Sequence, residues 1–156
     1  MATNETNSPV AESDSNPTLE TQIATLYRAL AKSDRQAVAK LVATDLEYWF
    51  HGPPNCQHMM QVLTGESGRT DFNFEPRSID VVGEYAIAEG WEGKNVYWVH
   101  VWTLKDGVIT QFREYFNTWL TVRHTRPRSW HERRTLWQSQ PRDLARRSLP
   151  GVVLAI

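Results

Sequence analysis

A single acidic side chain, Glu114, stands in an otherwise apolar stretch of the chain and is the first candidate for chemistry. It alternates with Phe112 and Phe116, and this spacing puts all three side chains on one face of a β-strand. A carboxylate on such a face must be hydrogen-bonded, paired with a cation or kept protonated, because removing it from water is costly. Glu114 is therefore either a general base or ligand anchor in a pocket, or a structural acid held by a hydroxyl such as that of Tyr97. The residues favour the structural interpretation and leave the other one open.

The sequence also places three side chains that could act as metal ligands or nucleophiles close together: His51, Cys56 and His58. They lack the paired spacing of CxxC or HExxH motifs, so no metal site is predicted. Activation of Cys56 as a nucleophile is disfavoured, because a small side chain more often packs at such a position. The chain also has no GxSxG, P-loop or GxGxxG motif, so hydrolase and nucleotide chemistry lack support and no cofactor is expected.

A β-hairpin over residues 95–120 must position Glu114. Its two β-rich halves flank Asp106 and Gly107, a pair that accepts the positive φ angles of a tight primed turn. The predicted cross-strand pairs are Lys105 with Val108, Val101 with Phe112, His100 with Arg113, Val99 with Glu114, and Trp98 with Tyr115. One predicted face carries Trp98, His100, Trp102, Ile109, Gln111, Arg113, Tyr115 and Asn117, and the other carries Tyr97, Val99, Val101, Thr103, Phe112, Glu114 and Phe116. A bulge would slip this register by one residue and exchange the neighbours across the ladder.

The remaining elements follow from periodicity and from capping residues. A helix opens at Thr18, a second is capped by Ser33 and Asp34, and a third follows Asn55 and stops at Gly65. Strands are predicted over 46–51, 75–82 and 85–92, ahead of the hairpin. The order of helix, helix, strand, helix and four strands predicts an α+β fold.

Composition divides the chain into three parts. Residues 1–18 hold three acids and no base, residues 19–122 are mildly acidic, and residues 123–156 hold eight arginines against two acids. We expect a disordered segment over 1–18, a folded domain over 19–122, and a basic tail over 123–156 that docks in part through Trp130, Leu136, Trp137 and its last five residues. The arginines and tryptophans could contact nucleic acid or acidic partners, but no nucleic-acid module is recognisable and neither partner is favoured. One cysteine, no signal peptide and no membrane-length apolar run predict a cytoplasmic protein, with nuclear entry left open.

Five segments carry a resemblance to a known family: 50–54 (FHGPP), 58–65 (HMMQVLTG), 86–91 (AIAEGW), 98–118 (WVHVWTLKDGVITQFREYFNT) and 149–156 (LPGVVLAI). The chain resembles the plant wound-induced protein 1 family, also seen among senescence-associated proteins, and its element order is similar to the SnoaL-like and nuclear transport factor 2-like folds. The resemblance implies a cone-shaped, curved antiparallel sheet packed on three N-terminal helices around an internal cavity. It also implies a stress-response homodimer with no established reaction. Superfamily isomerases and cyclases use an inner-strand acid as base, but this chain has no aspartate at the expected positions.

These expectations assign candidate roles to eleven side chains. The predicted ligand-binding residues are Trp49, His51, Tyr97, Phe112, Glu114 and Phe116, the usual composition of a small apolar site. The predicted interface residues, placed on the outer face, are Trp98, His100, Trp102, Arg113 and Tyr115. We expect a non-catalytic protein that binds a small apolar ligand or a protein partner. The alternative is an isomerase or cyclase in which Glu114 is the base and His51 or Tyr97 steadies the oxyanion.

Overall fold

The computed structural model describes residues 18–64, 73–93, 95–125, 134–141 and 149–156. Its elements are α1 (Leu19–Ala31), α2 (Arg35–Leu41), β1 (Val42–His51), α3 (His58–Thr64), β2 (Ser78–Val82), β3 (Tyr85–Glu92), β4 (Val96–Lys105), β5 (Val108–Phe116), β6 (Trp119–Arg123), β7 (Thr135–Gln138) and β8 (Gly151–Ala155). The predicted α+β order is confirmed. The segment predicted to be disordered lies, apart from Thr18, outside the described residues, as do Gly65 and Trp130.

The two N-terminal helices begin at the residues that the sequence predicts. The Thr18 hydroxyl accepts a hydrogen bond from the Thr21 backbone N–H, and the Asp34 carboxylate accepts one from Ala37. Each bond satisfies a backbone donor that has no partner within its own helix. The third helix begins at His58, later than predicted.

Five strands form the main sheet, in the order β1-β5-β4-β3-β2. β2 to β5 are antiparallel neighbours, but β1 runs parallel to β5, so the sheet is mixed and not wholly antiparallel. Helices α1 to α3 cover one face, which we call the inner face, and Ile23, Leu26 and Met59 are completely buried there. The core is therefore a helix layer on a sheet, as expected for this class.

The hairpin register differs from the predicted one by a single residue. The turn itself is as predicted, with Asp106 at φ 53° and Gly107 at φ 78° and with Lys105 opposite Val108. Thr110 is then bulged out of β5, because Leu104 pairs with Ile109 whereas Thr103 pairs with Gln111. From there on the pairs are Trp102 with Phe112, His100 with Glu114, and Trp98 with Phe116. The predicted pairing and the predicted faces were wrong because one extra residue reverses the side to which every later side chain points.

A second, three-stranded sheet covers the outer face of the main sheet. Its order is β7-β6-β8, so the segment predicted as a basic tail supplies two of its three strands. Leu120, Val122, Trp137 and Leu154 pack from this layer against Tyr97, Val99, Val101 and Tyr115 of the main sheet. We expected the C-terminal residues to dock on the face of Trp98 and Trp102, but the slipped register turns those two rings inward.

Candidate functional site

A chain of buried polar side chains crosses the aromatic core between α1 and β1. The indole N–H of Trp102 donates to the Tyr27 hydroxyl (3.0 Å), which lies 2.6 Å from Nδ1 of His100. Nε2 of His100 lies 2.8 Å from Oε2 of Glu114, and the Tyr48 hydroxyl donates to Oε1 of the same carboxylate (3.0 Å). Trp102, His100 and Glu114 have no exposed surface. We call these five side chains the polar chain.

The direction of each hydrogen bond in the polar chain follows from the groups that can only donate or only accept. An indole nitrogen only donates, so the Tyr27 oxygen accepts from Trp102. A carboxylate only accepts, so a neutral His100 ring donates to Glu114 from Nε2 and accepts the Tyr27 proton at Nδ1. The imidazole proton then sits on Nε2 and points at Glu114. Burial lowers the pKa of His100 against the opposing influence of Glu114, which agrees with a neutral imidazole. The contact between His100 and Glu114 is therefore a hydrogen bond that the neutral ring donates to the carboxylate, and it is not an ion pair.

Tyr48 is the end of the polar chain that reaches the surface. It is half-buried on β1, and its ring lies over Phe112 at 5.5 Å between centroids. Burial raises the pKa of Tyr48 first, and the nearby Glu114 raises it further through its charge and the hydrogen bond. The phenol stays protonated at neutral pH, so it donates to Glu114 and keeps its lone pairs for another partner.

Four aromatic rings surround the Glu114 side chain on the inner face. Phe112 and Phe116 flank it on β5, while Phe50 lies opposite it on β1, and Tyr48 completes the set. Adjacent rings are in contact, with Phe50 and Phe116 at 5.9 Å and Tyr48 and Phe50 at 6.5 Å between centroids. We call Tyr48, Phe50, Phe112 and Phe116 the aromatic box. Two of its members, Tyr48 and Phe50, are half-buried, so the box is partly exposed to solvent on the β1 side.

The hairpin residues predicted for the site divide between the two faces. Glu114, Phe112 and Phe116 point to the inner face as expected, and their role in ligand binding stays a prediction. Trp98, His100 and Trp102, which we expected in an interface on the outer face, were placed wrongly. They are completely buried in the inner core because of the Thr110 bulge. Arg113 and Tyr115 do point to the outer face.

Three other predicted site residues lie away from Glu114. Trp49 is 54% exposed and His51 is also exposed, because alternation along β1 turns both to the side opposite Tyr48 and Phe50. Tyr97 lies on the outer face and bonds Glu89, a second buried acid that also accepts from Arg77 at 2.8 Å. The predicted partnership of Glu114 with His51 or Tyr97 was therefore wrong.

Sequence reasoning missed the residues that hold Glu114. No role was predicted from the sequence for Tyr27 on α1 or for Tyr48 and Phe50 on β1. The alternation in β1 was the available signal, since its more apolar face had to be the inner one. The contact between Tyr27 and His100 joins residues 73 positions apart in the sequence and carried no local signal.

The described part of the chain offers neither a metal-binding cluster nor a membrane-spanning helix. In residues 18–64, 73–93, 95–125, 134–141 and 149–156, no three or more histidine, cysteine, aspartate or glutamate side chains are grouped so that they could hold a metal ion. Within the same ranges, none of the helices has the length and apolar character needed to cross a membrane.

Comparison with known proteins gives matches of two kinds. A family model described as wound-induced protein WI12 matches residues 60–156. The chain is 41% identical over 105 residues to wound-induced protein 1 of Solanum tuberosum, covering 62% of this chain and all of that protein. It is 37% identical over 110 residues to the product of senescence associated gene 20 of Arabidopsis thaliana, with the same shares covered. Among solved structures, a nuclear transport factor 2-like protein of unknown function from Cytophaga hutchinsonii matches with a TM-score of 0.50 and 16% identity, over 66% of this chain and 93% of that one. This likeness is evidence for the fold alone.

Proposed function

We propose that this chain, which belongs to the wound-induced protein WI12 family and has a nuclear transport factor 2-like fold, is a non-catalytic, cytosolic stress-response protein that binds a small apolar ligand. In the same proposal, two copies associate through the outer face of β1. The observation that carries the ligand is the aromatic box, which combines four rings with one buried carboxylate and is partly exposed to solvent at two half-buried members. A few polar groups inside an apolar, aromatic wall are the usual composition of a small-molecule site.

Binding is favoured over catalysis by the position of Glu114. A general base must come within hydrogen-bond reach of the proton that it removes. Glu114 has no exposed surface, and each of its oxygens already accepts a hydrogen bond from His100 or Tyr48. The two groups expected to stabilise an oxyanion, His51 and Tyr97, do not share a face with it. An isomerase or cyclase would need both a free carboxylate and a converging donor.

The ligand proposal is tested by comparing two neighbours on β1 that face opposite ways. Phe50→Ala opens the aromatic box, whereas Trp49→Ala removes a ring of the outer face. A ligand present at one hundred times its dissociation constant stabilises the folded state by about 2.7 kcal/mol, which a thermal shift assay detects. We expect Phe50→Ala to remove the shift produced by small aromatic ligands and Trp49→Ala to retain it. Equal loss in both variants, or no shift with any apolar compound in the wild type, would refute the site.

The proposed interface centres on Trp49. Its indole N–H donates to the Glu47 carboxylate at 2.7 Å, and the Arg113 guanidinium lies 5.6 Å from the ring centroid. An exposed ring between an acid and a base can meet its own copy across a two-fold axis, because each arginine then faces the partner's glutamate. Exposed tryptophan and arginine are also the residues that contribute most to protein interfaces.

The interface proposal is tested by measuring mass in solution. We expect the wild type to sediment as a dimer and Trp49→Ala to sediment as a monomer. Val81→Ala is the matched control, because Val81 is also exposed (46%) but lies on β2 at the opposite edge of the sheet. A monomeric wild type, or a dimer that persists in Trp49→Ala, contradicts this interface.

A further inference from the structure

Two buried glutamates on opposite faces of the same sheet differ in how their charge is balanced. On the outer face, Glu89 pairs with the Arg77 guanidinium at 2.8 Å and also accepts hydrogen bonds from Tyr97 and from the Gln140 backbone N–H. On the inner face, the hydrogen bonds that Glu114 accepts from the described part of the chain come from Tyr48 and from the neutral ring of His100. Among the residues that the structure describes, no lysine or arginine pairs with Glu114. Buried carboxylates are usually paired with a cation, and the described residues provide no such positive charge beside Glu114.

Tyr48 links the buried Glu114 carboxylate to the surface of the protein through its hydrogen bond. Its hydroxyl proton points at Oε1, which leaves the lone pairs of the oxygen available to accept a further hydrogen bond. A phenol that donates to a carboxylate becomes a better acceptor, because hydrogen bonds in a chain polarise one another. A donor arriving at the box meets this oxygen first, and no movement of Glu114 is needed.

The rings around this oxygen suit a cation. Aromatic faces attract ammonium groups, and cages of several rings are the usual protein site for alkylated ammonium ions. Tyr48 and Phe50 present half-buried rings, with Phe112 and Phe116 behind them. A carboxylate at the base of the cage adds an electrostatic attraction that burial strengthens.

We infer that the ligand of the aromatic box is an amine, bound as an ammonium ion whose N–H donates to the Tyr48 hydroxyl and whose apolar body lies against Phe50. This inference rests on the proposed function, since it assumes that the box binds a small molecule, and it adds the charge of that molecule. Glu114 supplies the counter-charge through Tyr48, so the bound ammonium balances its charge from one hydrogen bond further away than Arg77 does for Glu89.

The experiment compares a charged and a neutral ligand of matched shape. Dissociation constants of phenethylamine and phenethyl alcohol are measured by calorimetry near neutral pH for the wild type and for Tyr48→Phe. A charge-assisted hydrogen bond predicts that the wild type prefers the amine by about tenfold or more. The preference should fall to about one in Tyr48→Phe. Tyr97→Phe is the matched control, because it also removes a tyrosine hydroxyl from a buried glutamate, and it should keep the wild-type preference.

The outcomes separate this inference from the proposal on which it rests. Equal affinities of the wild type for the two compounds overturn the inference and leave the apolar site standing, whereas no binding of either compound overturns the proposed function itself. A preference that survives in Tyr48→Phe overturns the route through the hydroxyl. Glu114→Gln is a second test, because loss of the carboxylate charge should also abolish the preference for phenethylamine over phenethyl alcohol. Infrared detection of a protonated Glu114 in the wild type near neutral pH overturns the inference without any variant.

Discussion

Removing one oxygen from Tyr27 tests the polar chain most directly. In Tyr27→Phe the ring remains in place, while Trp102 loses the acceptor of its indole N–H and His100 loses the donor to Nδ1. Both partners are completely buried, so solvent cannot replace the lost bonds unless water enters the core. A buried polar group left unpaired costs about 1–3 kcal/mol, and two such groups give an expected loss of about 3 kcal/mol in the free energy of unfolding.

Urea unfolding followed by tryptophan fluorescence and circular dichroism measures this loss. Tyr85→Phe is the control, because Tyr85 lies half-buried on the outer face of β3 in the main sheet and outside the polar chain. It should change the free energy of unfolding by less than about 0.5 kcal/mol. Nitrogen NMR of the imidazole should also show a proton on Nε2 and none on Nδ1 in the wild type. A loss below about 0.5 kcal/mol in Tyr27→Phe, or a proton on Nδ1 of His100, would refute the assigned directions.

The other predictions concern pH, packing and the turn. Because burial lowers the pKa of His100, this ring takes up a proton at a higher pH in the unfolded chain than in the folded protein. The free energy of unfolding should therefore fall as the pH drops below the ordinary value of 6.5, by at most about 1.4 kcal/mol per pH unit; a flat urea midpoint across that window contradicts this. Gly90→Ala puts its methyl group 2.6 Å from the Trp98 ring and should lower thermal stability by about 1–3 kcal/mol, whereas Gly151→Ala, which meets nothing within 4 Å, should not. Gly107→Ala, at φ 78°, should cost about 1 kcal/mol by urea unfolding, and an unchanged midpoint would mean that the turn has relaxed.

Glu114 shows how a correct local prediction can give a wrong site. The period-2 pattern placed this acid on one face with two phenylalanines, the family resemblance implied that this face is the inner one, and the structure has it there. Its neighbours were assigned through the ladder, and the ladder depended on Thr110 being an ordinary strand residue. The bulge put His100 directly opposite Glu114, where Val99 was expected. Nothing in the residues around Thr110 distinguishes a bulged strand from a regular one.

The outer layer shows a second limit. The apolar character of the last five residues predicted that they would be covered, and Leu154 is buried against the main sheet. Their pairing was not predictable, because β8 joins β6 in parallel, from a distance of about thirty residues along the chain. The same holds for the hydrogen bond from Trp137 to Asp80, which ties β7 to β2.

The local sequence determined the helix caps, the strand periodicity, the Asp106-Gly107 turn and the placement of Glu114 on one strand face with Phe112 and Phe116. These features depend on neighbours within a few positions, where capping, alternation and φ preference act. Only the tertiary structure decided which side chains hold that acid. Tyr48 of β1 and His100 of β4 bond the carboxylate directly, Tyr27 of α1 reaches it through His100, and one bulged residue put His100 opposite Glu114. A register is set by the energy of the whole buried face, and no short stretch of sequence contains that energy.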